Sequence, residues 1–214
     1  MKLLHIVATP RGQGSNTLRV SKAFLDRLLA INPAIEVTEN NVFREDLPAM
    51  SGENIEAKYT LMVGQPIDKN HAESWQRIEA LIEQFLAADL YMISSPMWNF
   101  SIPYALKYYI DALVQPGYLF RFTEQGIPMG LVQGKTMVCI TSRGGDYAPG
   151  SPGQSYDHQE SYLRTVFGYC GITDMRFVNA QPMDITPDLR EQAISAAIEA
   201  AQALAESVGR LPAT

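Results

Sequence analysis

The stretch Ser95-Pro96-Met97-Trp98-Asn99-Phe100-Ser101-Ile102-Pro103-Tyr104-Ala105-Leu106-Lys107 decides the fold, because it leads from a strand into a helix. Upstream, Asp89 to Ser95 is a short apolar run of the kind that fills the middle of a parallel sheet covered on both faces. Pro96 ends that strand. Pro103 suits the first turn of the following helix, where a missing N–H costs nothing, and Ala105 to Val114 continue at helical spacing. The loop between the prolines carries Met97, Trp98, Asn99 and Phe100 at the carboxyl end of a strand, where open α/β sheets bind ligands. A thioether, two flat aromatics and an amide suit a planar heteroaromatic ring with a polar edge. The alternative is a loop that merely packs on the core.

Working outward, strand-like and helix-like runs alternate, as in a parallel sheet wrapped by helices. Strands are expected at Lys2–Thr9, Ile35–Val42, Asp89–Ser95, Lys135–Ser142 and Thr173–Ala180. Thr17 to Ile31 forms the first helix, with Leu18, Phe24, Leu25, Leu28 and Leu29 as its buried stripe. Glu73 to Ala88 is amphipathic through Trp75, Ile78, Leu81, Ile82 and Phe85. Another helix covers Tyr156 to Tyr169, and Thr186-Pro187 opens the last one, which buries Ile194, Ala197, Ile198, Ala201, Leu204 and Val208 before Gly209. Phe43 to His71 reads as a polar, irregular excursion, suited to a surface, a partner contact or a substrate wall. Between Gly117 and Gly134, Tyr118, Phe120 and Phe122 alternate with Leu119, Arg121 and Thr123, as in a small hairpin. The pattern is that of a three-layer α/β sandwich around a five-stranded parallel sheet, one domain spanning residues 1–214, and it leaves two common sheet orders. The flavodoxin-like order 2-1-3-4-5, the one expected here, converges the loops after strands 1, 3 and 4 on one ligand, whereas the dinucleotide fold usually announces a glycine fingerprint at its first turn.

Each of the other two loops has suitable chemistry. Thr9-Pro10-Arg11-Gly12-Gln13-Gly14-Ser15-Asn16-Thr17 lacks the GxGxxG fingerprint and the Lys-Ser/Thr end of a nucleotide-triphosphate loop. It offers Thr9, Ser15, Asn16 and Thr17 around two glycines at a helix N-terminus, an arrangement that fits a phosphate monoester and that ordinary helix capping also explains. After the fourth strand, Ser142-Arg143-Gly144-Gly145 brings backbone N–H groups close to a ring edge.

Three segments, SPMWNFSIPYALKYYID, YLFRFTEQGIPMGLVQGKTMVCITSRGG and YLRTVFGYCGITD, resemble those of the bacterial FMN-dependent NADH-azoreductases, also described as NADH:quinone oxidoreductases. The resemblance implies a flavodoxin-like, homodimeric, cytoplasmic enzyme with non-covalent FMN and NADH or NADPH as co-substrate. It implies that Thr9, Ser15, Asn16 and Thr17 hold the phosphate and ribityl chain. Met97, Trp98, Asn99 and Phe100, with Ser142, Arg143, Gly144 and Gly145, would hold the isoalloxazine. Trp98 stands where tyrosine is common and Thr9 where serine is common. The implied reaction passes two electrons from the nicotinamide through the flavin to a quinone or azo compound. No side-chain nucleophile is required. Asn99, Gly144 and Gly145 are candidates for tuning the flavin, and Tyr118, Phe120, Phe122 and Phe167 for an aromatic substrate wall, the alternative for each being the core. Rival readings on the same fold are a one-electron carrier and a flavin-binding sensor.

Composition sets the bounds. Of 214 residues 46% are hydrophobic, and 17 Lys and Arg against 23 Asp and Glu leave a net charge of −6, which disfavours nucleic acid and anionic membranes as partners. The N-terminal apolar run is short and interrupted by His5, unlike a signal peptide, and no run reaches the roughly 18 apolar residues of a membrane span. Cys139 and Cys170 have no zinc spacing and read as buried free thiols of a reducing cytosol. Glu36, Glu39, Glu45 and Asp46 form no metal-ligand pattern. His5 reads as a packing residue, and His71 and His158 as surface groups, with His158 also a possible proton donor to substrate.

Overall fold

A computed structural model describes residues 1–67 and 72–210. Its central strands, β1 (Lys2–Val7), β3 (Leu90–Pro96) and β6 (Thr136–Ser142), are buried almost throughout. With β2 (Glu36–Asn41) and β7 (Asp174–Ala180) at the edges they form one parallel sheet of order β2-β1-β3-β6-β7. This is the expected 2-1-3-4-5 order, because β4 (Phe120–Phe122) and β5 (Pro128–Gly130) pair only with each other as an antiparallel hairpin.

Strand side chains alternate between two cores, as the period of 2 demands. Leu4, Ile6, Tyr91, Ile93, Met137 and Cys139 face one core, with residues of α3 (Ala72–Leu86), α4 (Tyr104–Leu113) and α5 (His158–Tyr169). Leu3, Leu90, Met92, Val138 and Ile140 face the other, beneath α1 (Asn16–Ile31) and α6 (Pro187–Val208). Alanines 197, 201 and 205 of α6 are fully buried or nearly so, and their small side chains let it pack closely against Leu28 on α1. Phe24 is fully buried there, a burial that contributes about 1.5–3 kcal/mol.

The Phe43–His71 excursion is more regular than its sequence suggests. It contains α2 (Glu53–Met62), which buries only Asn54 and Ala57 and so carries almost no apolar periodicity to read. Asn54 anchors it, donating to the Ala49 carbonyl at 2.7 Å and accepting from the Ser74 hydroxyl at 2.8 Å. Phe43, Leu47, Met50 and Leu61 pack on the core from this segment, while His71 lies outside the described residues. The first helix also differs in detail: its buried line is Thr17, Val20, Ser21, Phe24 and Leu28, with Leu18, Leu25 and Leu29 half-buried. Pro103 caps α4 from outside instead of occupying its first turn.

His5 is buried on the α1 side of the sheet. Ser21 Oγ donates to the Thr17 carbonyl at 2.9 Å and lies 2.7 Å from Ser94 Oγ, which is itself 2.7 Å from His5 Nε2. A carbonyl only accepts, so Ser94 must donate to Ser21, and His5 Nε2–H to Ser94. Burial lowers the His5 pKa to about 4, and the chain ties α1's first turn to β1 and β3 with a neutral imidazole.

Among the described residues, no helix is long and apolar enough to cross a membrane, and no group of three or more His, Cys, Asp or Glu side chains could hold a metal ion. Burial raises the thiol pKa of Cys139, and pushes that of Cys170 up to about 12.

Candidate functional site

The loops after β1, β3 and β6 meet at the carboxyl edge of the sheet. Strand order reverses beside β1, and such a switch point opens a crevice between diverging loops. Here the cleft has a volume of about 190 Å³ and is lined from the first loop by Thr9, Arg11, Ser15, Asn16 and Thr17. Pro96, Met97 and Trp98 line it from the second loop, and Ser142, Arg143 and Gly144 from the third. Asn99, Phe100 and Gly145 continue the second and third loops beyond this lining.

In the first loop a short 3-10 turn over Gly12–Gly14, with Gly12 at φ +54°, swings the chain into α1. Ser15 is the N-cap, its Oγ accepting from the Leu18 N–H at 3.3 Å. The capping alternative is therefore realised for Ser15, although its hydroxyl proton is still free to donate. Thr9, Ser15 and Thr17 are all buried at the base of the cleft. The N–H groups of Asn16 and Thr17 have no acceptor among the described residues, as expected in a first helical turn. No acidic side chain occupies that turn, so nothing on the helix itself neutralises its positive dipole end. Thr17 Oγ1 and Ser142 Oγ are 2.7 Å apart, joining the first loop to the third.

The second loop is a two-residue hairpin. Trp98 N–H donates to the Ser101 carbonyl at 2.9 Å, and Ser101 N–H to the Trp98 carbonyl at 3.0 Å. Asn99 and Phe100, at φ +47° and +70°, occupy a type I′ turn whose second position favours glycine. A phenylalanine there is strained, and the strain presents its ring outward, 47% exposed. Phe43 and Tyr104 lean on Trp98 with ring centroids 5.7 and 6.3 Å away, while Tyr156 and Tyr147 approach Phe100 at 5.4 and 6.4 Å. Met97 N–H donates to the Ser142 carbonyl at 2.8 Å, fastening this loop to the third.

In the third loop the Gly144 carbonyl accepts from the N–H groups of Met183 and Asp184, each at 3.0 Å, while the N–H groups of Gly144 and Gly145 have no acceptor among the described residues. A Cβ on Gly144 would come within 2.6 Å of the Asp184 carboxylate. Arg143 lines the cleft while its guanidinium reaches into the fold, bonding Asp157 at 2.7 Å and Thr141 at 3.0 Å.

None of the four aromatics expected as a substrate wall, Tyr118, Phe120, Phe122 and Phe167, is in the lining of this cleft in the single chain. Phe167 is fully buried against Phe85, 6.1 Å away, and the Tyr118 hydroxyl donates to Glu79 under α3. Phe120 packs on Tyr169 at 4.7 Å, and Phe122 stands exposed on the hairpin. Tyr147, Tyr156, Phe43 and Tyr104 instead surround the second loop. Met183 and Asp184, which no motif in the sequence announces, also line the cleft from the loop after β7. The signal for these two was their position, since they follow a strand ending at the same sheet edge. His158 is exposed at the start of α5, with its N–H donating to the Phe100 carbonyl at 3.0 Å.

A parallel sheet of this order, with an anion-ready helix end and a ring-sized aromatic shelf at its switch point, defines a flavodoxin-like protein. The chain belongs to the family described by that flavodoxin-like fold, whose family model matches residues 1–205. It is 37% identical over 204 residues to an FMN-dependent NADH:quinone oxidoreductase of Nitratidesulfovibrio vulgaris (strain DP4), covering 95% of this chain and 97% of that protein. It is 39% identical over 206 residues to an FMN-dependent NADH:quinone oxidoreductase of Rhizobium meliloti (strain 1021), covering 96% of each. Among solved structures, an azoreductase from Bacillus anthracis str. Sterne superposes with a TM-score of 0.87 at 28% identity, covering 97% of this chain and 99% of that one. An FMN-dependent NADH-azoreductase from Bacillus anthracis str. Ames Ancestor, in complex with FMN, superposes with a TM-score of 0.81 at 28% identity, covering 95% and 99%.

Proposed function

We propose that this chain is an FMN-dependent oxidoreductase that takes two electrons from NADH or NADPH and delivers them to quinones and azo compounds. One observation carries the reading: N–H donors with no acceptor among the described residues line the cleft at Asn16 and Thr17 and at Gly144, followed by Gly145, and Met97 and Trp98 line it from the loop that continues to Phe100. That donor set fits FMN. The α1 end matches a phosphate dianion, the shelf a flat heteroaromatic ring, and the glycine end the ring edge that gains negative charge on reduction. When bound, FMN supplies two-electron chemistry, accepting a hydride from the nicotinamide and releasing the electrons to the second substrate.

The side chains bind and orient. Ser15 and Thr17 hydroxyls add donors to the phosphate, and the amide of Asn99, exposed in the turn, can bond to the ring's polar edge. Gly144 and Gly145 bring backbone dipoles close because no side chain intervenes. Trp98 and Phe100 offer open aromatic faces, which suit planar acceptors of differing shape and so both quinones and azo compounds.

The same reading makes residues 1–214 one FMN-binding domain and the chain a cytoplasmic homodimer. Support for the dimer comes from exposed aromatics outside the shelf, Tyr104, Tyr156 and the hairpin's Phe122, which a second copy would cover. The test is to load the purified protein with FMN, measure its mass in solution, and add NADH or NADPH without oxygen. A dimer whose flavin absorbance bleaches rapidly and returns on adding a quinone is expected. A protein that takes up no FMN overturns the reading, and one that binds FMN without reduction by either nucleotide is a carrier or sensor instead.

A further inference from the structure

Arg143 is 1% exposed, and a buried guanidinium is costly unless its surroundings are arranged for it. Its Nε donates to Thr141 Oγ1 at 3.0 Å, and the Thr141 hydroxyl in turn donates to Asn179 Oδ1 at 2.8 Å. Nη1 donates to Asp157 Oδ2 at 2.7 Å, while Nη2 is 3.6 Å from the Glu160 carboxylate and has no hydrogen-bond acceptor among the described residues. Asp157 is the N-cap of α5, its other carboxylate oxygen accepting from the N–H groups of Gln159 and Glu160 at 3.1 and 3.0 Å.

The first turn of α5 thereby touches both ring-binding loops with consecutive residues. Asp157 holds Arg143, the residue before the glycine pair. His158 N–H holds the Phe100 carbonyl, and the fully buried Gln159 donates from Nε2 to the Pro96 carbonyl at 2.9 Å. A leucine of similar volume would fill the Gln159 site without a buried amide, and an apolar pair could replace Arg143–Asp157 at little cost in stability. Polar fasteners instead fix direction: each bond sets where one loop stands relative to the other.

We infer that Arg143, Asp157 and Gln159 are positioning residues that set the gap between the Met97–Phe100 shelf and the Gly144–Gly145 donors, and with it the grip on the flavin ring. The inference rests on the FMN reading above. These residues touch no part of the phosphate end, so loosening them weakens FMN and riboflavin by the same factor. It also relaxes the donors at the ring edge, which disfavours the reduced, negatively charged ring and lowers the midpoint potential.

The experiment uses full-length Arg143→Lys and Gln159→Leu. Lysine keeps the charge but loses the planar fork that bonds Thr141 and Asp157 together, and leucine removes the bond to Pro96 without burying a charge. Affinities for FMN and riboflavin, the visible circular dichroism of the bound flavin and its midpoint potential are measured beside wild type. Expected for each variant are about tenfold weaker binding of both flavins, from one lost hydrogen bond of about 1.4 kcal/mol, an altered flavin spectrum and a more negative potential. Folded variants with wild-type affinities, spectrum and potential overturn the inference and leave these residues as struts. Where Arg143→Lys fails to fold, Gln159→Leu decides alone. A wild-type protein that takes up no FMN is a separate result, and it overturns the parent reading.

Discussion

Phe100 sits at φ +70° in the second position of a type I′ turn, and that conformation has a stability consequence opposite to the usual rule. For an L-residue the left-handed region costs roughly 1–2 kcal/mol, a penalty that glycine does not carry. Phe100→Gly and Phe100→Ala both delete a ring that is half exposed, so the lost contacts with Tyr147 and Tyr156 cancel between them. Glycine gives back roughly 0.4–1 kcal/mol through the greater freedom of its unfolded chain. Phe100→Gly should therefore be more stable than Phe100→Ala by about 0.5–1 kcal/mol, whereas at most positions alanine is the better residue. Urea unfolding of the two variants side by side measures the difference, and for a chain of this size it corresponds to about 1–4 °C in melting temperature. An alanine variant equal to or more stable than the glycine variant refutes the strained turn, and with it the argument that the strain serves to present the ring.

The double change Ser15→Ala, Thr17→Ala should weaken FMN by roughly 2–4 kcal/mol and barely affect riboflavin, which lacks the phosphate. Losing the Ser15 cap costs about 1 kcal/mol of stability without choosing between the ligands. Fluorescence titration of both proteins with both flavins separates the effects, and equal losses would move the phosphate to another loop. His5 supplies a pH dependence: its pKa falls from 6.5 in the unfolded chain to about 4 in the fold, so between those values only the unfolded chain takes the proton. The Glu39 carboxylate lies 3.9 Å from Nδ1 but is mostly exposed and screened. Stability from this group is complete above about pH 6.5 and is lost as the pH falls toward 4, by about 3 kcal/mol in all. His5→Gln should flatten that part of the profile, and a variant losing as much stability as wild type between pH 6.5 and 4.5 would show that His5 is not the group.

Strand type was legible in the sequence, but the pattern left two sheet orders open, and which loops meet was decided by the observed order. Asp89 to Ser95 and Lys135 to Ser142 are continuous apolar runs, only a doubly covered parallel sheet buries such runs, and such a sheet of order 2-1-3-4-5 brings the ends of its first, third and fourth strands together. Hydroxyls and glycines ahead of a helix likewise announced the helix start, and Ser15 caps it. The sequence missed α2, because a helix that buries Asn54 and Ala57 displays no apolar stripe. It could not orient Arg143, whose neighbours in the chain, Ser142 and Gly144, line the cleft, but whose guanidinium follows Asp157, which α5 brings beside β6. Nor could it separate Phe167 from Tyr156: both are aromatics in one short segment, yet one points into the core and the other stands beside Phe100 at the cleft. Periodicity determines which face of an element is buried, but loop residues have no period, and their directions are decided only by the elements that tertiary packing sets against them.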